Sequence, residues 1–173
     1  DGVIGIHING YTSNGIITRN KIYGLSSTAA NTGVYGINIM NGGTNMTISN
    51  NIISDITSAN NSTTSTQYNP FGIRIDGGNN HKIYNNTINL TTAQAGAGSS
   101  GSLTSCLMIT QVVPFLNICT GLDVRNNIFI NSMTGLAGTK SYSMYVPDNQ
   151  AFADCNYNNY YVSGTYGVLG MVG

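Results

Sequence analysis

The chain contains no glutamate and no tryptophan, and only 7% of its 173 residues are charged. Six Lys and Arg balance six Asp, so the formal net charge is zero. That balance excludes the basic face of a nucleic-acid binder and the acidic run of an interaction tail. Disorder needs low hydrophobicity combined with high net charge, and 40% apolar content at zero net charge meets neither condition. The strong helix formers are scarce, whereas the chain holds 25 Asn, 22 Gly, 20 Ile, 19 Thr and 16 Ser. Such a composition predicts an all-β chain. No run approaches the roughly 20 apolar residues that cross a bilayer, so no membrane span is expected. Three cysteines (Cys106, Cys119, Cys155) are too few for a disulfide framework. Two readings stay open for them: a Cys106–Cys119 bridge in an oxidising compartment, or buried free thiols. A start at Asp1 rather than Met reads as a processed or excised piece.

Self-similarity is the strongest signal that is present. One half of the repeat reads Gly-Ile-x-Ile, at Gly5–Ile8, Gly36–Ile39 and Gly72–Ile75, with degenerate copies at Cys106–Ile109 and Ser143–Val146. The other half is an Asn anchor followed by apolar residues: Asn20, Asn51, Asn86, Asn127 and Asn159, with Asn158 an equal choice in the last copy. Three residues before the anchor stand Ile17, Ile48, Ile83 and Val124, and two after it stand Ile22, Ile53, Ile88 and Phe129. Apolar residues at period two predict short strands with one buried face. Gly/Asn clusters between the halves (41–45 and 76–80) predict turns. The anchor is expected at a tight corner, because Asn tolerates left-handed backbone and its amide bonds along a stack.

A unit repeating in register every 31–41 residues predicts one coil of a parallel β-solenoid, about five coils in all, as a single domain over residues 1–173. Through the Gly-Ile-x-Ile and Asn-Asn-x-Ile motifs the chain resembles the right-handed parallel β-helix family typified by pectate lyases. Extra length gathers after the Asn strand of each coil, at Ser26–Thr32, Thr57–Pro70, Thr91–Ser105 and Ser132–Ser141, and predicts loops along one edge. The fourth coil adds an apolar insertion at 111–116, read either as a contact patch or as a packed satellite cluster. Neither end carries a polar cap. This predicts either a slice of a longer solenoid or ends covered by neighbouring coils of the same or identical chains.

The resemblance implies a substrate lying along the sheet beside the long loops. The outward column there is His7, Asn38, Arg74, Met108 and Tyr145, followed by Asn9, Met40, Asp76, Thr110 and Pro147. Arg74 and Asp76 lie two apart and share a face, where they suit either a sugar group or a solvated pair on an exposed sheet. These two with His7 are the weak catalytic candidates, and Asn38, Arg74, Asp76 and Tyr145 are the binding candidates. A glycosidase needs two carboxylates at a set separation, and Asp76 has no acidic neighbour in its column. The six Asp are scattered, so no calcium site is expected; two His in different columns make zinc binding equally unexpected, and no cofactor is implied. His81 reads as a partly buried turn histidine. Lys82 and Asp123 are expected to face each other as an exposed pair across the ladder. Ile4, Tyr35, Phe71, Ser105 and Tyr142 read as a stack closing a corner, with a sugar platform as the sharper alternative.

Two functional expectations follow. One is a structural or adhesive solenoid segment of a large secreted or cell-surface protein, part of a stalk or filament. The other is a carbohydrate-active domain, a polysaccharide lyase, glycoside hydrolase or glycan binder. The expected location is extracellular or at the cell surface, the expected partners are neighbouring coils and polysaccharide, and no nucleic acid is expected.

Overall fold

A computed structural model describes residues 2–29, 32–41, 43–58, 69–93, 103–110, 119–134, 138–146 and 151–172. The described residues are 66% strand, with no helix among them, and wind as a parallel β-solenoid of about four turns. Coil one runs β1 (Gly2–Asn9), β2 (Ile16–Thr18), β3 (Lys21–Ile22) and β4 (Leu25–Ser27). Coil two repeats this as β5 (Gly33–Met40), β6 (Thr47–Ser49), β7 (Ile52–Ser54) and β8 (Ile56–Ser58). Coil three holds β9 (Pro70–Asp76), β10 (Lys82–Tyr84) and β11 (Thr87–Leu90). Coil four holds β12 (Leu103–Thr110), β13 (Leu122–Arg125) and β14 (Ile128–Asn131). Coil five holds β15 (Lys140–Val146), β16 (Phe152–Asn156) and β17 (Asn159–Val162), and β18 (Gly167–Val172) follows. Like strands stack into a six-stranded first sheet that includes β18, and into second and third sheets of five strands each. Five strands make four steps along the axis, which reconciles five expected coils with about four turns.

The expected columns are in register: Ile17, Ile48, Ile83 and Val124 in the second sheet, and Ile22, Ile53, Ile88 and Phe129 in the third. All eight are buried in one continuous core with Ile37, Ile39, Ile73 and Ile75 of the first sheet. Burying one such side chain contributes roughly 1.5–3 kcal/mol, and only an adjacent coil provides the burial. The glycine of Gly-Ile-x-Ile has a steric cause. The register passes from Ile4–Tyr35 to Ile6–Ile37, leaving Gly5 and Gly36 outside the ladder. A Cβ at Gly36 would lie 2.6 Å from both the Gly72 carbonyl oxygen and Ile53 Cγ2.

The corner divides its work between the two members of the Asn pair, which differs from the expected single anchor. The left-handed residue is the first member: Asn50, Asn85 and Asn126, with Arg19 and Tyr157 in the end coils, at φ of 54–60°. The second member forms a ladder. Asn51 Oδ1 accepts from the Asn20 backbone N–H at 3.1 Å and from Asn20 Nδ2 at 2.9 Å. Asn86, Asn127 and Asn158 continue the same pattern at 2.9–3.1 Å. The last rung is therefore Asn158, one of the two choices open in the sequence. It places Cys155 on Val124 and Tyr160 on Phe129, continuing both core columns.

One expectation about the loops changes, and of the two readings open for the cysteines the free thiols hold. The segments expected as loops from Ser26 and Thr57 begin inside strands, since β4 pairs with β8 as a small fourth sheet. Cys106, Cys119 and Cys155 are all free. Cys106 takes the position that glycine holds in earlier coils, and its Sγ is directed at the Ile130 carbonyl, 3.2 Å away. The insertion at 111–116 lies outside the described residues.

Candidate functional site

The period of two places His7, Asn38, Arg74, Met108 and Tyr145 in one row across the outer face of the first sheet. Asp76 aligns with Thr110, and Asn9 with Met40, in the next row. The Arg74–Asp76 pair forms, with Nη2 at 2.8 Å from Oδ2. The Thr110 hydroxyl donates to the second Asp76 oxygen. The guanidinium also lies over the Tyr35 ring, 5.2 Å from its centroid. Asn38 Nδ2 donates to His7 Nδ1 at 3.3 Å.

The expectation of a solvated pair on an exposed sheet is overturned: Arg74 is 6% and Asp76 4% exposed. The reason is a second apolar cluster on this outer face, formed by Tyr35, Phe71, Leu103, Met108 and Tyr142. Burial raises the Asp76 pKa above the usual carboxylate range, and the Arg74 charge opposes the rise. Two buried polar atoms of this row, Asn38 Oδ1 and Arg74 Nε, have no hydrogen-bond partner. His7 is exposed and Tyr145 half-buried.

The aromatic residues lie on this outer face rather than at a corner. Tyr35 and Phe71 stack with centroids 5.9 Å apart and planes 4° from parallel. Ser105 interrupts the column, and Tyr142 instead meets Tyr145 edge-on at 5.2 Å. Tyr35 thus directs one face at Phe71 and is approached by Arg74, so its faces serve internal packing.

His81 is fully buried rather than partly so. Its Nδ1 accepts from the Met46 backbone N–H at 3.4 Å, and its Nε2 lies 3.2 Å from the Gly77 carbonyl. Lys82 and Asp123 do face each other in register. The direct partners of Asp123 are different ones: Arg125 Nε at 2.6 Å, Arg125 Nη2 at 2.7 Å, and the Tyr84 hydroxyl. Arg125 also lies 3.8 Å from Asp154 and stacks over the Tyr84 ring. Tyr84 and Arg125 went unrecognised in the sequence, although Asp123-Val124-Arg125 repeats the i, i+2 spacing of Arg74-Ile75-Asp76 with the signs reversed. The buried amide of Asn69, unpartnered at both atoms, carried no sequence signal.

Chemically, the outer face offers hydrogen bonds and one neutral ion pair. Among the described residues, no three His, Cys, Asp or Glu side chains converge as a metal cluster would require. Among the same residues, no helix is long and apolar enough to cross a membrane. No family model, curated protein or solved structure matches the chain.

Proposed function

We propose that the chain is a structural segment: a rigid, neutral β-solenoid of a larger secreted or cell-surface protein, serving as a spacer or stalk that carries loops on its flank. The observation that carries this reading is the Asn20–Asn51–Asn86–Asn127–Asn158 ladder, its three middle rungs buried, which ties all five coils into one hydrogen-bonded row. The ladder is directional, each amide oxygen accepting from the coil before it. A further coil of the same kind therefore extends it at Asn20 through an amide oxygen and at Asn158 through N–H groups. Side chains suited to chemistry are occupied inside the fold, Arg74 with Asp76 and His81 with two backbone groups. Light scattering and negative-stain imaging of the native particle test the proposal. Rods or fibres are the expected result, and a compact monomer that cleaves polysaccharide refutes it.

A second reading, glycan binding on the outer face of the first sheet, draws on the unpartnered Asn38 Oδ1 and Arg74 Nε, in the row that ends at Tyr145. A glycan array gives the decision: signal lost in folded Arg74→Ala and Asn38→Ala supports this reading, and signal unchanged in both removes it.

A further inference from the structure

The turn between β9 and β10 holds the solenoid's one buried imidazole among the described residues, and its bonds fix the protonation state by geometry. The Met46 N–H can only donate, so His81 Nδ1 must be an unprotonated acceptor. The Gly77 carbonyl can only accept, so Nε2 carries the proton. The ring is 0% exposed and stacks in register between the Met46 and Leu122 positions, both buried. Gly78, at φ +90°, makes room for it: a Cβ there would lie 2.7 Å from His81 Nε2 and collide with the Gly43 carbonyl oxygen. Met46 belongs to coil two and His81 to coil three, and Lys82 N–H returns to the Met46 carbonyl at 2.8 Å. The ring is thus a joint between coils at the passage from the first sheet to the second.

We propose that this joint is acid-responsive: protonation of His81 sets N–H against N–H at Met46 and opens the turn at residues 77–81. The groups around it provide no counter-charge. On its own segment, Asp76 turns outward to Arg74 and Thr110, and Lys82 is exposed. From coil two, Met46 and the Gly43–Thr44 turn bring no titratable side chain. From coil four, Leu122 is apolar, Cys119 has its thiol pushed up to about 12 by burial, and Asp123 turns outward to Arg125 and Tyr84. Burial lowers the His81 pKa from 6.5, and the Gly77 hydrogen bond opposes this only in part. The sign follows. The closed joint binds its proton later than the open one, so the joint is tightest above pH 6.5 and weakens as pH falls below it. The inference holds whether the coils form a stalk or a binding platform.

Amide exchange read residue by residue at pH 7.5 and 5.5, corrected for intrinsic rates, tests it. The opening constant at Met46 is expected to rise toward tenfold per pH unit below 6.5. The Ile128 amide, bonded to the Asn86 carbonyl at 2.8 Å with no ionisable side chain in the contact, is expected to stay flat. His81→Gln, which keeps an acceptor and a donor but does not titrate, is expected to abolish the difference. Should that variant fail to fold, NMR titration of His81 in the wild-type chain decides. A His81 pKa at or above 6.5, or Met46 exchange that tracks Ile128 at both pH values, overturns the proposal.

Discussion

Asn86 is the rung whose loss the structure prices most directly. Its side chain accepts from Asn51 N–H at 3.1 Å and from Asn51 Nδ2 at 3.0 Å. It donates to the Ile48 carbonyl at 2.9 Å and to Asn127 Oδ1 at 3.0 Å. Asn86→Ala removes all four bonds in a site that is 0% exposed, and takes from the buried Asn51 N–H its acceptor. At about 1 kcal/mol net per bond, the loss is about 4 kcal/mol, a substantial part of the 5–15 kcal/mol typical of a domain. For a chain of this size that lowers the melting midpoint by roughly 8–16 °C. The neighbouring substitution is the control. Asn85 is exposed at φ 54°, and its contribution is conformational, so Asn85→Gly is expected to change stability by less than about 1 kcal/mol. Thermal melts give the global effect, and exchange at the Asn51 amide gives the local one, since repeat arrays can lose all-or-none behaviour. A loss below about 1 kcal/mol for Asn86→Ala, or a larger loss at Asn85 than at Asn86, would refute the division of labour within the pair.

Gly36→Ala should cost about 1–3 kcal/mol, because its methyl group meets the Gly72 carbonyl and Ile53; chemical denaturation reads this directly, and a neutral result would show that the strand bend relaxes freely. Arg74→Met removes the charge that opposes burial at Asp76, so the Asp76 pKa should rise further. A raised folded pKa means that the native state binds the proton first, so this carboxyl favours folding more as pH falls through that value, and carboxyl NMR checks it. Thiol labelling of the folded chain should modify half-buried Cys155 at least tenfold faster than Cys106 and Cys119, whose pKa values burial raises; equal rates would contradict the packing of the core.

Registers were legible because periodicity and stacking are the same constraint. Once Asn51, Asn86 and Asn127 are aligned, each inward column follows, and so does the outward row from His7 to Tyr145. Roles inside the Asn pair were not legible. Left-handed backbone and a stacked amide both favour Asn, and only Arg19 and Tyr157, standing where the amide is dispensable, separate the two in the structure. Burial on the outer face was hidden for a different reason. Alternation tells which side a residue takes but not whether that side is covered, so Arg74 and Asp76 read as solvated. Asp123 differs again: register sets it opposite Lys82, but its same-strand i, i+2 neighbour Arg125 is the closer cation and takes both of its oxygens.

In-register stacking also accounts for the low charge. Each outward residue meets its counterpart one rung away at about 4.8 Å, where two like charges repel by about 0.9 kcal/mol even in water. Columns of Asn, Ser and Thr escape this and gain bonds instead, as in Thr18–Ser49 and Ser13–Thr44. Asp123 and Asp154 are like-charged rung neighbours, and Arg125 reaches both, at 2.6 Å and 3.8 Å. Burial alone would raise the Asp123 pKa, yet hydrogen bonds from Arg125 and Tyr84 bring it below 3.8. A lowered folded pKa means stability present above 3.8 and lost as pH falls through the folded value. Arg125→Gln should therefore destabilise the fifth coil at pH 7, more in low salt than in high, and the defect should shrink as pH falls through the folded value of Asp123. Melting curves of the variant and the parent from pH 7 down through that value decide it. An equal defect throughout would mean that Arg125 acts through packing on Tyr84, and that repulsion between stacked charges does not shape the composition of these coils.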